Sequence, residues 1–398
     1  MRTISRRVES LAASATLAMS QKSAALKAQG VDVINMSVGE PDFDTPEHIK
    51  EAAKRAIDEN YSRYTPVAGY MSLRKAVSEK LLRENHLEMA PEQIVVGNGA
   101  KQELCNAVLA LVDPGDEVII PTPAWVSYVE MVKLAEGIPV TVSAGIESGF
   151  KITGEMLERA ITPRTKAVML NSPSNPTGAV YSYEELRDLA EVLARHPQVW
   201  ILADEIYEHI NFVDRVASIS EFESVRGRTV IINGVSKAYA MTGWRIGWLA
   251  APAEVSKAVT KLQGQYTSGA SSIAQKAAEE AYVGPQQCVA DMREAFRRRR
   301  DLIVELASQI PGWKVNRPEG AFYLFPEVSG YIGKSTPDGR RLETSGDYVM
   351  YLLEEAHVAA VDGAAFGAPG YLRLSYATSD DNIREALRRI AEASAKLK

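Results

Sequence analysis

The sequence predicts an α/β fold: a mostly parallel, seven-stranded sheet flanked by helices, accompanied by a smaller α+β domain. Seven short apolar runs lie between residues 93 and 250 and alternate with helical patterns, as in sheets that are covered on both faces. A hydrophobic fraction of 46% and a charged fraction of 24% are typical of globular proteins. The 398 residues are enough for two or three domains.

The chain before the sheet predicts, in order, an arm, a helix, a short strand, a turn and two helices. After the arm, these elements cover residues 13–28, 31–38, 39–43, 46–59 and 72–84. The apolar runs of the sheet occupy residues 93–96, 117–121, 138–142, 167–170, 199–203, 229–232 and 246–250. Helices between them are predicted at residues 101–111, 125–135 and 183–195. Because ligands of such sheets bind beyond the carboxyl ends of the strands, functional residues are expected there.

The rest of the chain predicts further helices and a few strands. Helical patterns cover residues 254–282, 289–309, 345–356 and 380–398. Strand patterns cover residues 313–316, 321–326 and 371–376, and a polar loop covers 330–345. The arginine run at residues 297–300 is interpreted as a solvated helix face.

Charge and cysteine content exclude several classes of function. A net charge of −6 and a pI near 5.6 argue against a nucleic-acid or anionic-membrane partner. Cys105 and Cys288 form no metal-like cluster, and two cysteines in apolar helical patterns fit a reducing cytosol without disulfides. No apolar stretch approaches the roughly 18 residues of a membrane span, so we expect a cytoplasmic protein.

A reactive lysine is predicted beside the strand at residues 229–232. Lys237 follows that strand end, and Arg245 lies between Gly243 and Gly247. A lysine at such a site can form a Schiff base with an aldehyde, and a guanidinium can bind phosphate through two parallel bonds. A surface Lys and Arg around a glycine turn is the alternative, but the whole pattern S-K-x-x-x-x-x-G-x-R-x-G favours a site.

This stretch resembles the cofactor-lysine signature of the class I aminotransferases, which are fold-type I pyridoxal-phosphate (PLP) enzymes. The resemblance implies that Lys237 carries PLP through a Schiff base and that Ser236 and Arg245 hold its phosphate. It also implies a large PLP-binding domain at residues 46–290. The N-terminal segment 1–45 would join residues 291–398 in the small domain.

A second phosphate-binding element is predicted where the strand at 93–96 meets the next helix. Residues 97–101 read Gly-Asn-Gly-Ala-Lys, so Gly99, Ala100 and Lys101 lie where the predicted helix begins. The free N–H groups at the start of a helix bind anions. An NAD-dependent dehydrogenase using the Gly97–Gly99 turn is the alternative from another functional class. Its fingerprint requires a third glycine where Gln102 stands.

Asp204 ends the apolar strand at residues 199–203 and is the candidate partner of the PLP ring nitrogen. A carboxylate there keeps the nitrogen protonated, so the ring can accept electrons from a carbanion. The resemblance implies that the Tyr207 hydroxyl binds the ring's O3′ atom. An N-cap role for Asp204 in a following helix is the structural alternative.

Two further residues at strand ends match parts of the family's site. The resemblance implies that Asn175 binds O3′ and the substrate carboxylate, and that Trp125 stacks on the ring. A plain Asn-Pro turn and a core tryptophan are the respective alternatives.

The remaining matches concern substrate and subunit contacts. Arg373 stands inside an apolar strand pattern, and a buried arginine needs an anionic partner. The resemblance implies that this partner is the substrate α-carboxylate, with help from the Gly39 backbone. It also implies that Tyr64 reaches the PLP phosphate of a neighbouring subunit, so a homodimer is expected.

The resemblance implies transamination by a ping-pong mechanism in which the Lys237 amine moves the Cα proton. Amino acids and 2-oxo acids are the expected partners, and no metal is expected. Lys101, Ser14 and Thr16 match contacts of the bacterial aspartate-using subgroup, which favours transfer from aspartate or glutamate to 2-oxoglutarate or oxaloacetate. Prephenate, aromatic amino acids and alanine stay open, although Ala12 stands where prephenate-active members often have a basic residue.

Overall fold

The computed structural model describes residues 4–398 and contains the predicted sheet. Its seven strands are ordered β2-β8-β7-β6-β5-β3-β4, and all neighbours are parallel except the pairs that include β8. The strand bounds are β1 Ile34–Asn35, β2 Ile94–Gly97, β3 Glu117–Thr122, β4 Ile138–Ser143, β5 Thr165–Asn171, β6 Trp200–Asp204, β7 Thr229–Gly234, β8 Gly247–Ala250, β9 Tyr323–Leu324, β10 Val358–Ala359, β11 Val361–Asp362 and β12 Leu372–Ser375. The predicted fold class is confirmed.

Helices cover the sheet and form most of the remaining chain. Their bounds are α1 Arg6–Glu9, α2 Ala15–Ala28, α3 Glu47–Asp58, α4 Met71–Asn85, α5 Ala100–Leu111, α6 Ser127–Leu134, α7 Gly154–Ala160, α8 Tyr183–Ala194, α9 Glu223–Arg226, α10 Ala253–Gln263, α11 Ser272–Val283, α12 Gln287–Ala307, α13 Ser345–Tyr351 and α14 Asp380–Ala395. Capping residues help to fix where a helix begins. At α8, Ser182 and Glu185 form a capping box, which satisfies two otherwise unpaired N–H groups.

Three predictions about elements are wrong, each for a local reason. The pattern at 254–282 contains two helices, because the chain turns at Gly264 and α11 restarts with Ser271 as its N-cap. Residues 313–316 form only an isolated bridge, between Lys314 and Glu327. The run 297–300 is not a solvated face, because Arg299 and Arg300 are buried.

A second structural layer combines both ends of the described chain. Strand β1 pairs with β10 in parallel, and β12 pairs with β11 and β9 in a separate antiparallel sheet. This pairing brings the segment after β1 next to β12, the strand that carries Arg373. The exact bounds of the two domains stay a prediction.

Glycine packing sets where α5 begins relative to the sheet. A Cβ added to Gly247 would lie 2.1 Å from the Ala100 nitrogen and 2.5 Å from the Gly99 carbonyl carbon. Backbone atoms at such distances cannot move aside without shifting the start of the helix. Gly247 therefore permits the close contact between β8 and the first turn of α5.

We expect Gly247→Ala to lower the free energy of unfolding by about 1–3 kcal/mol, because the added methyl overpacks backbone. Gly227→Ala is the matched control: its backbone is right-handed, at φ −64°, and its Cβ would meet nothing within 4 Å. The control should leave stability unchanged or raise it by up to about 1 kcal/mol. Urea unfolding of both variants measures the difference, and equal stabilities would refute the packing argument.

Candidate active site

One cavity of about 570 Å³ collects most of the predicted site residues at the carboxyl edge of the sheet. Those that line it are Ser14, Thr16, Gly39, Ala100, Lys101, Trp125, Asn175, Asp204, Tyr207, Ser236, Lys237, Arg245 and Arg373. Gly99 lies directly behind the wall, where its Cβ would be 2.4 Å from an Arg245 nitrogen. Tyr64 does not line the cavity and is 98% exposed.

Lys237 is presented by the turn after β7 and points across the cavity. Its Nζ donates a hydrogen bond to the Gly39 carbonyl at 2.6 Å. Removal of the amine from water is the largest cause that lowers the pKa of Lys237, to about 8, while Glu40 opposes the shift. Near pH 8 a substantial fraction of this amine is neutral, which is the form that reacts with a carbonyl.

Asp204 ends β6 and is buried in the same cavity. Tyr128 donates to Oδ2 at 2.6 Å, and the backbone N–H of Ile206 donates to Oδ1 at 3.2 Å. Burial raises the pKa of Asp204 to about 6, with Tyr128 opposing the shift. No α-helix begins between Asp204 and Ser218, so the alternative reading as a helix N-cap is wrong.

The start of α5 and Arg245 form a cationic corner of the cavity. Gly99 is the N-cap of α5 with φ +89°, a conformation that favours glycine. Arg245 donates to the carbonyls of Thr242 at 2.8 Å and Asn98 at 3.1 Å. Within residues 4–398 no acid forms an ion pair with Arg245, so this corner suits a phosphate.

The Gln102 side chain explains why the same turn is not a dinucleotide fingerprint. Its Oε1 accepts a hydrogen bond from the Asn98 N–H at 2.6 Å. Gln102 therefore stands, with its side chain bonded back to the turn, where the fingerprint needs a third glycine for close packing of helix on strand. The dehydrogenase alternative has no support in the geometry.

Arg373 is a fully buried cation with an incomplete set of partners. It donates to Asn175 Oδ1 at 2.9 Å and to the Ser37 carbonyl at 2.6 Å, while its Nε has no partner. Its guanidinium also lies 4.5 Å from the Tyr323 ring centroid. In the described part of the chain no carboxylate pairs with Arg373, so the site is suited to an anionic ligand.

Four aromatic residues form part of the cavity wall, as two pairs. The Tyr207 and Tyr323 hydroxyls are 2.7 Å apart, and Trp125 packs edge-on against Tyr128 with centroids 5.5 Å apart. Lys101 Nζ lies 5.0 Å from the Trp125 centroid, and burial together with Arg245 lowers the pKa of Lys101.

Sequence reasoning missed Tyr128, Tyr323 and Glu40 as wall residues. Tyr128 was detectable, because it follows Trp125 by three positions in the predicted helix and therefore shares its face. Tyr323 belongs to a predicted strand, but nothing local distinguishes its ring from the core residues around it.

The residues present fit PLP on structural grounds. A cationic corner, a buried carboxylate without a cationic partner and an inward-pointing lysine share one cavity. These match the phosphate, the ring nitrogen and the aldehyde of that cofactor.

Residues 4–398 include no helix that has both the length and the apolar composition of a membrane span. They also contain no group of three or more His, Cys, Asp or Glu side chains that could hold a metal ion.

Comparison with known proteins agrees with this geometry. The sequence model of the family described as Aminotransferase class I and II matches residues 31–390. The aspartate/prephenate aminotransferase of Cereibacter sphaeroides is 53% identical over 379 residues, which are 95% of each chain. The aspartate aminotransferase of Rhizobium meliloti is 50% identical over 98% of this chain and 96% of its own.

Solved structures give the same result for the fold. The crystal structure of the aspartate aminotransferase from Rhizobium meliloti superposes with a TM-score of 0.97 at 49% identity and covers 100% of both chains. The Thermus thermophilus aspartate aminotransferase with maleate has a TM-score of 0.92 at 45% identity, over 99% of this chain and 100% of its own. The chain is thus a member of the class I and II aminotransferases, and its cofactor is pyridoxal phosphate.

Proposed function

We propose that this aminotransferase moves the amino group of aspartate or glutamate to a 2-oxo acid by a ping-pong mechanism. The observation that carries the proposal is the joint placement of Lys237 and Asp204 in one cavity, with a buried arginine at its far side. Relatives similar over nearly the whole chain are named aspartate or aspartate/prephenate aminotransferases, which supports the same choice of substrate.

The chain supplies an acid–base apparatus around the cofactor. PLP, when bound, joins to an amine and withdraws electrons from the Cα of an amino acid, so that the Cα proton becomes removable. Lys237 is the proposed base that would take this proton from Cα and return it to the cofactor's C4′ carbon. Asp204 keeps the ring nitrogen protonated, and Tyr207 with Asn175 holds the ring oxygen.

Arg373 orients the substrate in this proposal. A guanidinium offers two parallel N–H bonds to a carboxylate, and Arg373 has an unpartnered Nε inside the cavity wall. Its fixed position, between Asn175 and the Ser37 carbonyl, would place the Cα of a bound amino acid close to the Lys237 amine.

The distal carboxylate of aspartate is assigned to Lys101, Ser14 and Thr16. All three line the cavity, and Ser14 is also the N-cap of α2. An ammonium beside hydroxyl donors favours a second carboxylate over a methyl group. Prephenate is the second candidate, because several relatives carry that activity in their names.

We further propose a homodimer located in the cytoplasm. Tyr64 is 98% exposed, so its ring is free to enter the site of another subunit. Cys105 and Cys288 are unpaired, as expected in a reducing compartment.

Lys237→Ala should abolish the yellow colour of the purified protein and lower kcat by at least about 10⁴-fold, because it removes the amine that is proposed both to bind the cofactor and to deprotonate Cα. Visible absorbance and single-turnover kinetics with aspartate measure both effects. The exposed Lys257→Ala should match the wild type. A yellow, active Lys237→Ala protein would refute the proposal.

Tyr128→Phe should weaken PLP binding about tenfold, because a hydrogen bond to a charged group is lost. It should also raise the pH below which the affinity for PLP falls. Asp204 must be ionised to pair with the protonated ring nitrogen, so affinity falls as pH drops through its pKa of about 6. Without the Tyr128 donor this pKa rises, and the fall begins at a higher pH. PLP titrations from pH 5 to 8 test this, and superimposable pH profiles would contradict it.

Lys101→Ala should lower kcat/KM for aspartate at least about tenfold, because it removes the cation assigned to the distal carboxylate. Alanine lacks that carboxylate, so its kcat/KM should stay within about threefold of wild type. Half-reaction rates with aspartate, alanine and arogenate compare the substrate classes. Equal losses for aspartate and alanine would remove the distal-carboxylate assignment.

A further inference from the structure

Residues 37–42, here called the 37–42 segment, contact both basic groups of the reaction centre through main-chain carbonyls. The Ser37 carbonyl accepts from Arg373 at 2.6 Å, and the Gly39 carbonyl accepts from Lys237 at 2.6 Å. The segment is also packed closely, because a Cβ on Gly39 would lie 2.5 Å from the Tyr323 hydroxyl. Its backbone position therefore affects where both cations lie.

The N-terminal end of the segment is fixed by backbone hydrogen bonds. Strand β1 pairs with β10, and Met36 donates to the Ala359 carbonyl at 3.0 Å. The Met36 carbonyl in turn accepts from the Ser375 N–H of β12 at 2.7 Å. This end is thus tied to the strand that carries Arg373.

The C-terminal end is fixed by side chains instead. Arg299 on α12 donates two parallel bonds to Asp42, at 2.7 and 2.9 Å. The guanidinium is nearly buried, with 9% of the side chain exposed, and it stacks 5.0 Å from the Phe43 ring centroid. A forked pair with a packed arginine holds its partner in one orientation better than a single bond does.

We propose that the Asp42–Arg299 pair positions the substrate-carboxylate site, acting through the 37–42 segment on Arg373. The inference rests on the proposed function of Arg373 as the carboxylate anchor. Neither Asp42 nor Arg299 is among the residues that line the cavity. Loss of the pair leaves the hydrogen bonds of Met36 intact, so the segment is held at one end only and the Ser37 carbonyl fixes Arg373 less firmly.

Asp42→Asn and Arg299→Lys test this in the holoenzyme. Both should raise KM for alanine and for aspartate about five- to tenfold, with kcat within about twofold, because both substrates carry an α-carboxylate. Amides of residues 36–43 should exchange hydrogen about tenfold faster than in wild type. The double variant should lose little more than either single variant, since the two side chains act as one unit.

Arg298→Gln is the matched control, because Arg298 lies one position earlier on α12 and pairs at the surface with Asp380, an acid that also lies 3.7 Å from the Arg299 Nε. It removes one arginine from the same charge network and leaves both Asp42–Arg299 bonds in place. It should leave KM and the exchange of residues 36–43 unchanged. If Arg299→Lys folds poorly, the Asp42→Asn variant alone tests the positioning role. We expect this variant to fold, because 31% of the Asp42 side chain is already exposed.

Faster exchange without a change in KM, or an equal effect of Arg298→Gln, would overturn the positioning role. A wild-type preference for alanine over aspartate would refute the proposed donor only. The Asp42–Arg299 comparison would still stand, because it depends on the α-carboxylate that both amino acids share.

Discussion

The structure depends on keeping one amine and one carboxyl group away from water in the same cavity without letting them neutralise each other. Burial pushes the two pKa values toward each other, that of Lys237 down to about 8 and that of Asp204 up to about 6. Each group is held by a neutral partner, the Gly39 carbonyl and the Tyr128 hydroxyl. A ring that carries an aldehyde and a basic nitrogen can satisfy both groups at once.

The sheet makes this arrangement possible. Strands β6 and β7 are parallel neighbours, so Asp204 and the turn that carries Lys237 leave the same edge. Gly247 lies opposite both Gly97 and Gly234 in its strand pairings. The small residues let α5 approach that edge closely, and Ala100 and Lys101 in its first turn line the cavity.

Local patterns predicted the strand ends, the lysine motif and the buried arginine, because each depends on a few neighbouring residues. They failed where a partner lies far away in sequence. Arg299 looked like part of a solvated face, since its partner Asp42 is 257 positions earlier. The hydrogen bond between Tyr128 and Asp204 spans 76 positions, so periodicity could place Tyr128 on a helix but not identify its acceptor.

The charge balance of the cavity favours acidic ligands. Its wall carries four cations, Lys101, Lys237, Arg245 and Arg373, against the two acids Glu40 and Asp204, and none of these cations forms an ion pair with an acid in residues 4–398. The whole protein has a net charge of −6, so this concentration of positive charge is local. The phosphate of the cofactor would take one end of the cavity, at Arg245. The cations left over, Arg373 and Lys101, then match a ligand with a carboxylate at each end better than one with a single carboxylate.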